Sequence, residues 1–508
     1  MSIEEVDVVV VGCGPVGALT ANLLGRHDVR TLVVERGTEP HRQPRAFSCD
    51  DEALRIYQLA GLRDEVAADM YAPSTVEYVD SAARPFATIA LDEIDFGLGA
   101  PPLHFFDQPI LEEALRKGFD RFPHVELRTA TEMVELTQDA DGVTVVLLDV
   151  ESGRHTTVRA RYVLGCDGAR SATRVAAGID LVGTSYAEPW LALTGDVPPE
   201  AVRVPVTQFV CDWNRPGFVS PGAIGTHRLE FMLRDGETPE EMTDPATIAR
   251  LAAPYVDPDR FTVTRAVVYT FHHVVAARWR AGRVLLLGDA AHQMPPFLGQ
   301  GLCSGLRDAA NLTWKIALVV QGRAGDTLLD TYEAERRPHT EEMAVTSVRL
   351  GRVFLVRKRW AAALRDAALR TIQTIPRVRR FVRHFEFKPL PAVGKGKRPV
   401  GVMFPQPAVL VAGSPEPRLL DDVLGAGFVV IGPDVDERAA TTWSGPPATF
   451  VRVLPPGAAL GGAAPGGLVD IGDPAGVLAA WFARHQVGAV VLRPDRFVYA
   501  TGVTAPAW

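Results

Sequence analysis

A chain of 508 residues, 47% hydrophobic and 22% charged, can bury large cores and is expected to hold two or three domains. Its net charge of −8 argues against a whole-chain nucleic-acid binder. The acidic start Met1-Ser2-Ile3-Glu4-Glu5 leads straight into a strand, and no apolar run reaches membrane-spanning length. We therefore expect a cytoplasmic protein without stable membrane insertion.

The first elements in the chain are Val8-Val9-Val10-Val11, a turn Gly12-Cys13-Gly14-Pro15-Val16-Gly17, a helix through Leu24, and a strand Thr31–Val34 tipped by Glu35 and Arg36. Gly12 permits the tight turn, Gly14 lets a pyrophosphate approach bare backbone, and Gly17 lets the helix sit close to the strand. Free N–H groups at the start of the helix, with the positive end of its dipole, suit phosphates. Glu35 falls about 20 residues on, where a carboxylate takes ribose hydroxyls. The stretch reads as dinucleotide binding; the other reading is a Gly-rich turn with no ligand.

A charged loop, His41 to Ala46, is followed by a helix from Asp50 to Ala60 and an alternating, strand-rich segment from Thr75 to Leu91. Leu103 to Gln108 leads into an amphipathic helix, Pro109 to Phe122. A hairpin, Glu132–Gln138 and Val143–Val150 joined through Asp141-Gly142, makes the sheet not wholly parallel. The strand Arg161–Cys166 ends in Asp167-Gly168-Ala169-Arg170, before a short helix Ala172–Ala176. From Tyr186 to Phe271 short β-rich segments dominate, with one helix near Glu240 to Tyr255, which reads as an inserted, mostly antiparallel domain. Val284 to Leu287 is again a buried strand, now ending in Gly288-Asp289. A loop, Gln293 to Gly301, opens a long helix, Ser304 to Val320, and a further helix spans Leu328 to Val348.

Arg349 to Lys388 interleaves arginines with apolar residues. It reads either as a membrane-surface or anionic-partner helix or as a solvated face packed on a neighbouring domain. Gly394 to Pro399 looks like a linker to a separate module. The expected boundaries are 1–74, 104–183 and 280–348 for the nucleotide-binding domain and 75–103 and 184–279 for the inserted domain. A helical connector would span 349–398 and the C-terminal module 399–508. The five cysteines, Cys13, Cys49, Cys166, Cys211 and Cys303, form no CxxC and no metal spacing.

Three strand ends, the Gly12–Gly17 turn, Asp167-Gly168 and Gly288-Asp289, converge where doubly wound sheets bind ligands. Together they resemble the single-component FAD-dependent aromatic hydroxylases of the para-hydroxybenzoate hydroxylase type. The 3-(3-hydroxyphenyl)propionate and polyketide hydroxylase branch is the nearer match. Pro44-Arg45-Ala46, Gly299-Gln300-Gly301 and Arg307 to Leu312 carry that branch's pattern, as do Leu420 to Gly425 and Arg493-Pro494-Asp495 in the tail.

The resemblance implies an α/β fold: a Rossmann-like FAD-binding domain, an inserted β-rich substrate domain and a thioredoxin-like C-terminal domain. Without CxxC the last would be structural or serve oligomerisation, with a homodimer the assembly considered. It implies FAD held by Gly12, Gly14, Pro15, Val16, Gly17, Glu35, Arg36, Arg45, Gln108, Asp167, Arg170, Gly288, Asp289, Pro296, Gly299, Gly301 and Leu302. NAD(P)H would dock transiently, since no second dinucleotide fold is visible. NAD(P)H and molecular oxygen would hydroxylate an aromatic, phenolic substrate through a flavin C4a-hydroperoxide. Candidate catalytic residues are His292, Asp50 and Pro296. A packed histidine and a helix N-cap are the other readings of His292 and Asp50. Trp190, Gln208, Trp213 and Phe231 are candidates for the pocket lining. Epoxidation or Baeyer–Villiger oxygenation of a polycyclic metabolite, and a non-catalytic flavin scaffold, are the competing functions.

Overall fold

The computed structural model describes residues 3–40, 46–394, 397–414, 416–461 and 467–506, with backbone alone for 185–188. Three large sheets organise these residues. In the first, Glu4–Val11 runs parallel to His155–Gly165, with Val10 opposite Leu164, and to Thr31–Val34, with Val10 opposite Val33. Val8 and Val10 enter one core, Val9 and Val11 the core on the other face. A continuous valine run is what a parallel strand buried on both faces requires. The first of these cores is shared by the helices Pro15–Arg26 and Gly301–Val320. His155–Gly165 is longer than the sequence suggests. Its first half pairs antiparallel with Val143–Asp149 and its second half parallel with Val284–Leu286, so the sheet is mixed.

The second sheet is built on two long antiparallel strands, Leu181–Asp196 and Thr262–Ala276, followed by Thr226–Met232, Gly217–Pro221 and Thr207–Val210. Thr207–Val210 then pairs parallel with Thr75–Val79, which brings the early hairpin Thr75–Ala90 into this sheet. The single helix expected near Glu240 is two. Thr238 and Glu241 close a capping box over Pro239–Met242, and Asp244 caps a new start at Pro245–Ala252. Pro245 has no N–H to continue the first helix, so the chain restarts there.

The arginine-rich stretch packs on this second sheet. After the long helix Thr331–Phe354, which runs through Pro338 and past its expected end, come Arg359–Ile372 and Pro376–Arg383. Arg365 donates to the Cys211 carbonyl at 2.7 Å, and Arg370 and Arg383 pair with Asp80 and Glu93. That fits the packed-face reading, although Trp360 and Leu364 stay exposed on the outer side.

The tail forms the third sheet, seven strands in the order Arg418–Leu419, Ala408–Val411, Leu468–Gly472, Ala448–Leu454, Phe428–Gly432, Val490–Leu492 and Val498–Thr501. It has a core of its own, around Val429, Ile431 and Val451, and is also joined firmly to the first sheet's domain. Phe428, Val430 and Val491 belong to the same core as the first helix, and Trp314 meets Phe428 edge-on at 5.6 Å. Arg55 binds Asp421 through Nε at 2.7 Å and Nη2 at 2.9 Å, while Asp495 accepts from Trp314 at 3.3 Å. Arg493 bridges Glu335, at 2.9 Å, and Asp495. Buried ion pairs of this kind are strongly destabilising when one partner is removed, which fixes how the tail sits.

Candidate active site

A cavity of about 710 Å³ runs from the end of Glu4–Val11, past the ends of the parallel strands, to the face of the second sheet. At its first end Gly12 takes φ +96°, where an added Cβ would sit 2.6 Å from the Cys166 carbonyl oxygen. Gly14 faces open space, and the helix Pro15–Arg26 starts with no side-chain cap. Its first N–H groups therefore point into the cavity unused by a side chain. Glu35 accepts from Cys13 N at 2.8 Å and Gly37 N at 2.9 Å, which fixes its carboxylate on the wall. Arg36 stands beside it there.

Gln108 is buried on the wall and holds Ala46 N through its Oε1 at 2.7 Å. Arg45 lies outside the described residues. Asp167 lines the cavity while its carboxylate caps the next helix, accepting from Thr173 N at 2.9 Å; Arg170 is exposed on the same wall. Asp289 presents its side chain to the cavity at the tip of Val284–Leu286.

Gly17 and Gly288 stand behind the wall and not on it. A Cβ at Gly17 would lie 2.0 Å from the Gly12 carbonyl oxygen, so close packing of helix on strand is its task. Gly288, at φ +59°, donates its N–H to Asp308 at 3.2 Å.

Farther along, Pro296 opens the turn Pro296–Leu298, Gly299 takes the left-handed conformation at φ +66°, and Gly301 and Leu302 begin the long helix. This helix too has no side-chain cap, and its start lines the cavity. Two uncapped helix N-termini thus face one cleft, one suited to a pyrophosphate and one to the electron-rich edge of a flavin ring. The cradle fits FAD: bare backbone at the turn, a carboxylate beyond each of two strands, and a long continuous cleft.

Two expected catalytic residues are placed otherwise. His292 is buried away from the wall, its Nε2 2.6 Å from Asp308 Oδ2 and its ring 5.0 Å from that of Trp279. Asp308 also accepts from Arg336 at 3.0 Å, so His292 helps hold the carboxylate that pins the Gly288 turn. Asp50 does line the cavity, but it caps Ala53 N at 3.0 Å and pairs with Arg307 and with Lys388 at 3.0 Å. Burial would raise its carboxyl; Arg307 and Lys388 outweigh burial and hold it well below the usual carboxylate range. A carboxylate so compensated is a weak base. Among the described residues no cluster of His, Cys, Asp or Glu is grouped to hold a metal, and all five cysteines are free thiols.

Residues 5–347 match the FAD binding domain family and residues 401–507 the HcaD C-terminal domain. The 3-(3-hydroxy-phenyl)propionate/3-hydroxycinnamic acid hydroxylase of Mycolicibacterium smegmatis is 40% identical over 99% of this chain and 91% of its own length. The chain belongs to the FAD-dependent aromatic hydroxylases. The similarly named Escherichia coli enzyme is 36% identical over 98% of this chain and 92% of its own. Among solved structures, p-nitrophenol 4-monooxygenase PnpA of Pseudomonas putida is 27% identical with TM-score 0.69, covering 76% of this chain and all but 2% of that one (98%). The flavin-dependent monooxygenase PieE shares the fold at TM-score 0.80, 23% identity and coverage of 98% and 96%.

In this hydroxylase the far end of the cavity is aromatic. Tyr78, Trp190, Phe209, Phe218, Phe271 and Phe354 form its walls. Trp190 is where the sequence suggested. Gln208, Trp213 and Phe231 are not on the wall: Gln208 bonds Glu77 at 2.9 Å, and Phe231 packs into the core on the sheet's other face. The polar residues of this end, Arg228, Glu230 and Tyr269, were missed, as was Arg116, which donates to the Cys13 carbonyl at 3.1 Å near the glycine turn. The available signal was Arg228 and Glu230 alternating with Leu229 and Phe231, charge on one face of an otherwise apolar strand. Burial, then Glu230, push the Tyr269 phenol well above its ordinary value, so it remains a hydrogen-bond donor.

Proposed function

We propose that this aromatic hydroxylase holds FAD along the cleft from Gly12 to Leu302, takes its electrons from NAD(P)H, and oxygenates a phenolic ring in the aromatic chamber. The observation that carries this is the continuity of the cavity: two uncapped helix starts and the chamber belong to one space. FAD, when bound, supplies the redox chemistry and the transfer of one oxygen atom from O2. The rest is the work of the chain. The helix start at Pro15 and the backbone at Gly14 would hold the pyrophosphate, Glu35 the adenosine ribose, and Asp289 the ribityl hydroxyls. The helix start at Gly301, with Gly299 free of a side chain, would stabilise negative charge on the ring edge. Pro296 and Phe297 close the ring's other neighbourhood, and Trp190, Phe271 and Phe354 exclude water that would divert the oxidant.

Arg170 and Arg36, both exposed at the mouth, are suited to the phosphates of the nicotinamide cofactor. For the tail, the central strands Phe428–Gly432, Ala448–Leu454 and Leu468–Gly472 run parallel with antiparallel strands on either side. That arrangement supports a thioredoxin-like fold in a structural role, and it carries no dithiol.

The test is oxidation of NADPH and NADH by the flavin-loaded protein with a panel of phenols, with the oxygenated product identified by mass spectrometry. A sharp phenol-dependent rise with product is expected; flavin-loaded protein that no phenol stimulates would refute the reading. Asp289→Ala should purify with little or no flavin, and a fully yellow variant would remove Asp289 from the cofactor site.

A further inference from the structure

The aromatic chamber contains one polar spot. Arg228 and Glu230 stand two residues apart on Thr226–Met232, hence on one face of it, and Tyr269 reaches them across the intervening strand Leu181–Asp196. Arg228 donates Nε to Glu230 Oε1 at 2.9 Å and Nη1 to Thr194 Oγ1 at 2.9 Å. Tyr269 donates its hydroxyl to Glu230 Oε2 at 3.1 Å. The Arg228 side chain is 3% exposed and that of Glu230 14%, and all three residues line the cavity. Tyr269 meets Phe271 edge-on at 4.9 Å, and Phe271 meets Phe297 at 5.7 Å, which sets the trio near the turn that starts at Pro296.

Charge decides what such a spot can recognise. Among the described residues the cavity wall carries four cationic side chains: Arg36, Arg116, Arg170 and Arg228. The first three belong to the nucleotide end, beside Glu35, at the Cys13 carbonyl, and in the loop after Asp167. Of these four, Arg228 alone lines the aromatic chamber, and Glu230 pairs with it; Arg265, level with Arg228 across Thr194, is buried behind the wall and not on it. A carboxylate entering there would lose its water opposite a guanidinium already paired, with a like charge beside it. A neutral hydroxyl would find carboxylate lone pairs that two donors do not exhaust.

From this geometry we infer that Glu230, held in place by Arg228 and Tyr269, selects a neutral phenol by accepting a hydrogen bond from its hydroxyl, and that the chamber disfavours substrates whose side chain is a carboxylate. The inference rests on the hydroxylase reading above and separates this chain from relatives named for acid substrates.

The test uses the FAD-loaded full chain with a matched pair, 3-(3-hydroxyphenyl)propionate and its methyl ester, following nicotinamide oxidation and oxygenated product. The ester should show kcat/KM at least about tenfold above the acid. Glu230→Gln leaves the Arg228 charge uncancelled and should reverse that order, lowering KM for the acid and raising it for the ester. Tyr269→Phe, which removes one oxygen atom, should raise KM for the ester severalfold without reversing the order. The flavin spectrum of each variant reports whether it has folded. Preference of the unaltered chain for the acid would overturn the inference. So would an unchanged order in flavin-loaded Glu230→Gln, or an unchanged ester KM in Tyr269→Phe, the variant that decides if Glu230→Gln does not fold. The hydroxylase reading fails on a different result, the absence of stimulation by any phenol, acid or neutral.

Discussion

At the nucleotide end of the cavity the phosphate cradle is backbone, Gly12, Gly14 and two helix starts set by their own chain geometry, with carboxylates such as Glu35 and Asp289 around it. At the substrate end the wall is side chains, delivered by the hairpin Thr75–Ala90, the long strands of the second sheet, and the two ends of the connector at Phe354 and Phe385. Backbone sites tolerate no added atoms and are indifferent to most neighbouring side chains. Side-chain sites hold their shape only through packing, and can be remodelled one residue at a time. The same fold can therefore keep one cofactor while changing its substrate.

The largest expected effect lies at the glycine turn, and two substitutions sharpen the contrast. Gly17→Ala would put a Cβ 2.0 Å from the Gly12 carbonyl oxygen, a backbone atom that cannot swing away. The helix must move off the strand, at about 3 kcal/mol or more, and flavin should be lost with stability. At Gly14 a Cβ meets nothing within 4 Å, and φ is −72°. Gly14→Ala should fold within about 0.5 kcal/mol of the unaltered chain yet bind FAD roughly a hundredfold more weakly, because the new methyl occupies the phosphate's approach. Denaturant unfolding and flavin titration on both variants check this. Equal flavin affinity in Gly14→Ala would mean the pyrophosphate lies elsewhere.

These differences in material also govern what the sequence disclosed. Val8 to Val11, the glycine spacing, Glu35 and the Gly288-Asp289 strand end are local patterns, and each physical requirement sits within a few residues of its signature. The turn Pro296–Leu298, the left-handed Gly299 and the open Gly301 were legible for the same reason. Arg228, Glu230 and Tyr269 meet only through strand register, and Leu181–Asp196 carries register shifts between Ser185 and Pro189 and at Thr194 that no spacing rule anticipates. Thr75–Val79 joins the second sheet beside Thr207–Val210, a pairing more than a hundred residues apart. His292 was open to two readings, a base at the cavity or a packed histidine. Its pairing with Val275 turns the ring inward toward Asp308. The contacts that join the tail to the first domain were not legible, because Arg55, Asp421 and Arg496 carry no mark of the burial they share.

The connector tests whether the two ends are mechanically joined. Lys388 reaches back to Asp50, on the cavity wall, and to Asp51 at 3.1 Å. Burial raises the Asp51 carboxyl to about 6, against the pull of Lys388 and with the push of Asp50. An unfolded aspartate titrates near 4. Between about pH 4 and 6 the folded chain therefore holds a proton that the unfolded chain has released, so stability falls as pH rises through that window and is level above it. Asp51→Asn removes this loss. It should match the unaltered chain near pH 4 and exceed it at pH 8, by at most about 3 kcal/mol and by roughly 1–2 kcal/mol once relaxation is allowed. Asp50 keeps Lys388 paired in the variant. A variant less stable than the unaltered chain at pH 8 would show that the Asp51 charge, and not Asp50 alone, anchors the connector.

The smallest effect on the cofactor is expected in the chamber itself. Phe354, 2% exposed, stacks on Trp190 at 5.8 Å and meets Phe209 at 5.6 Å and Phe297 at 5.8 Å edge-on. Phe354→Leu keeps an apolar side chain of similar reach but gives up three ring contacts, at a cost of about 1–2 kcal/mol. No group at the glycine turn feels the change, so flavin content and affinity should be those of the unaltered chain. What should move is the yield: the ring no longer seals the chamber, water gains access, and a larger share of nicotinamide oxidation should end in hydrogen peroxide and not in oxygenated product. Peroxide measured against product, at constant flavin, separates the two ends of the cavity more cleanly than any loss of rate. If Phe354→Leu instead lost flavin while keeping its yield, the chamber and the cofactor cleft could not be treated as independently built.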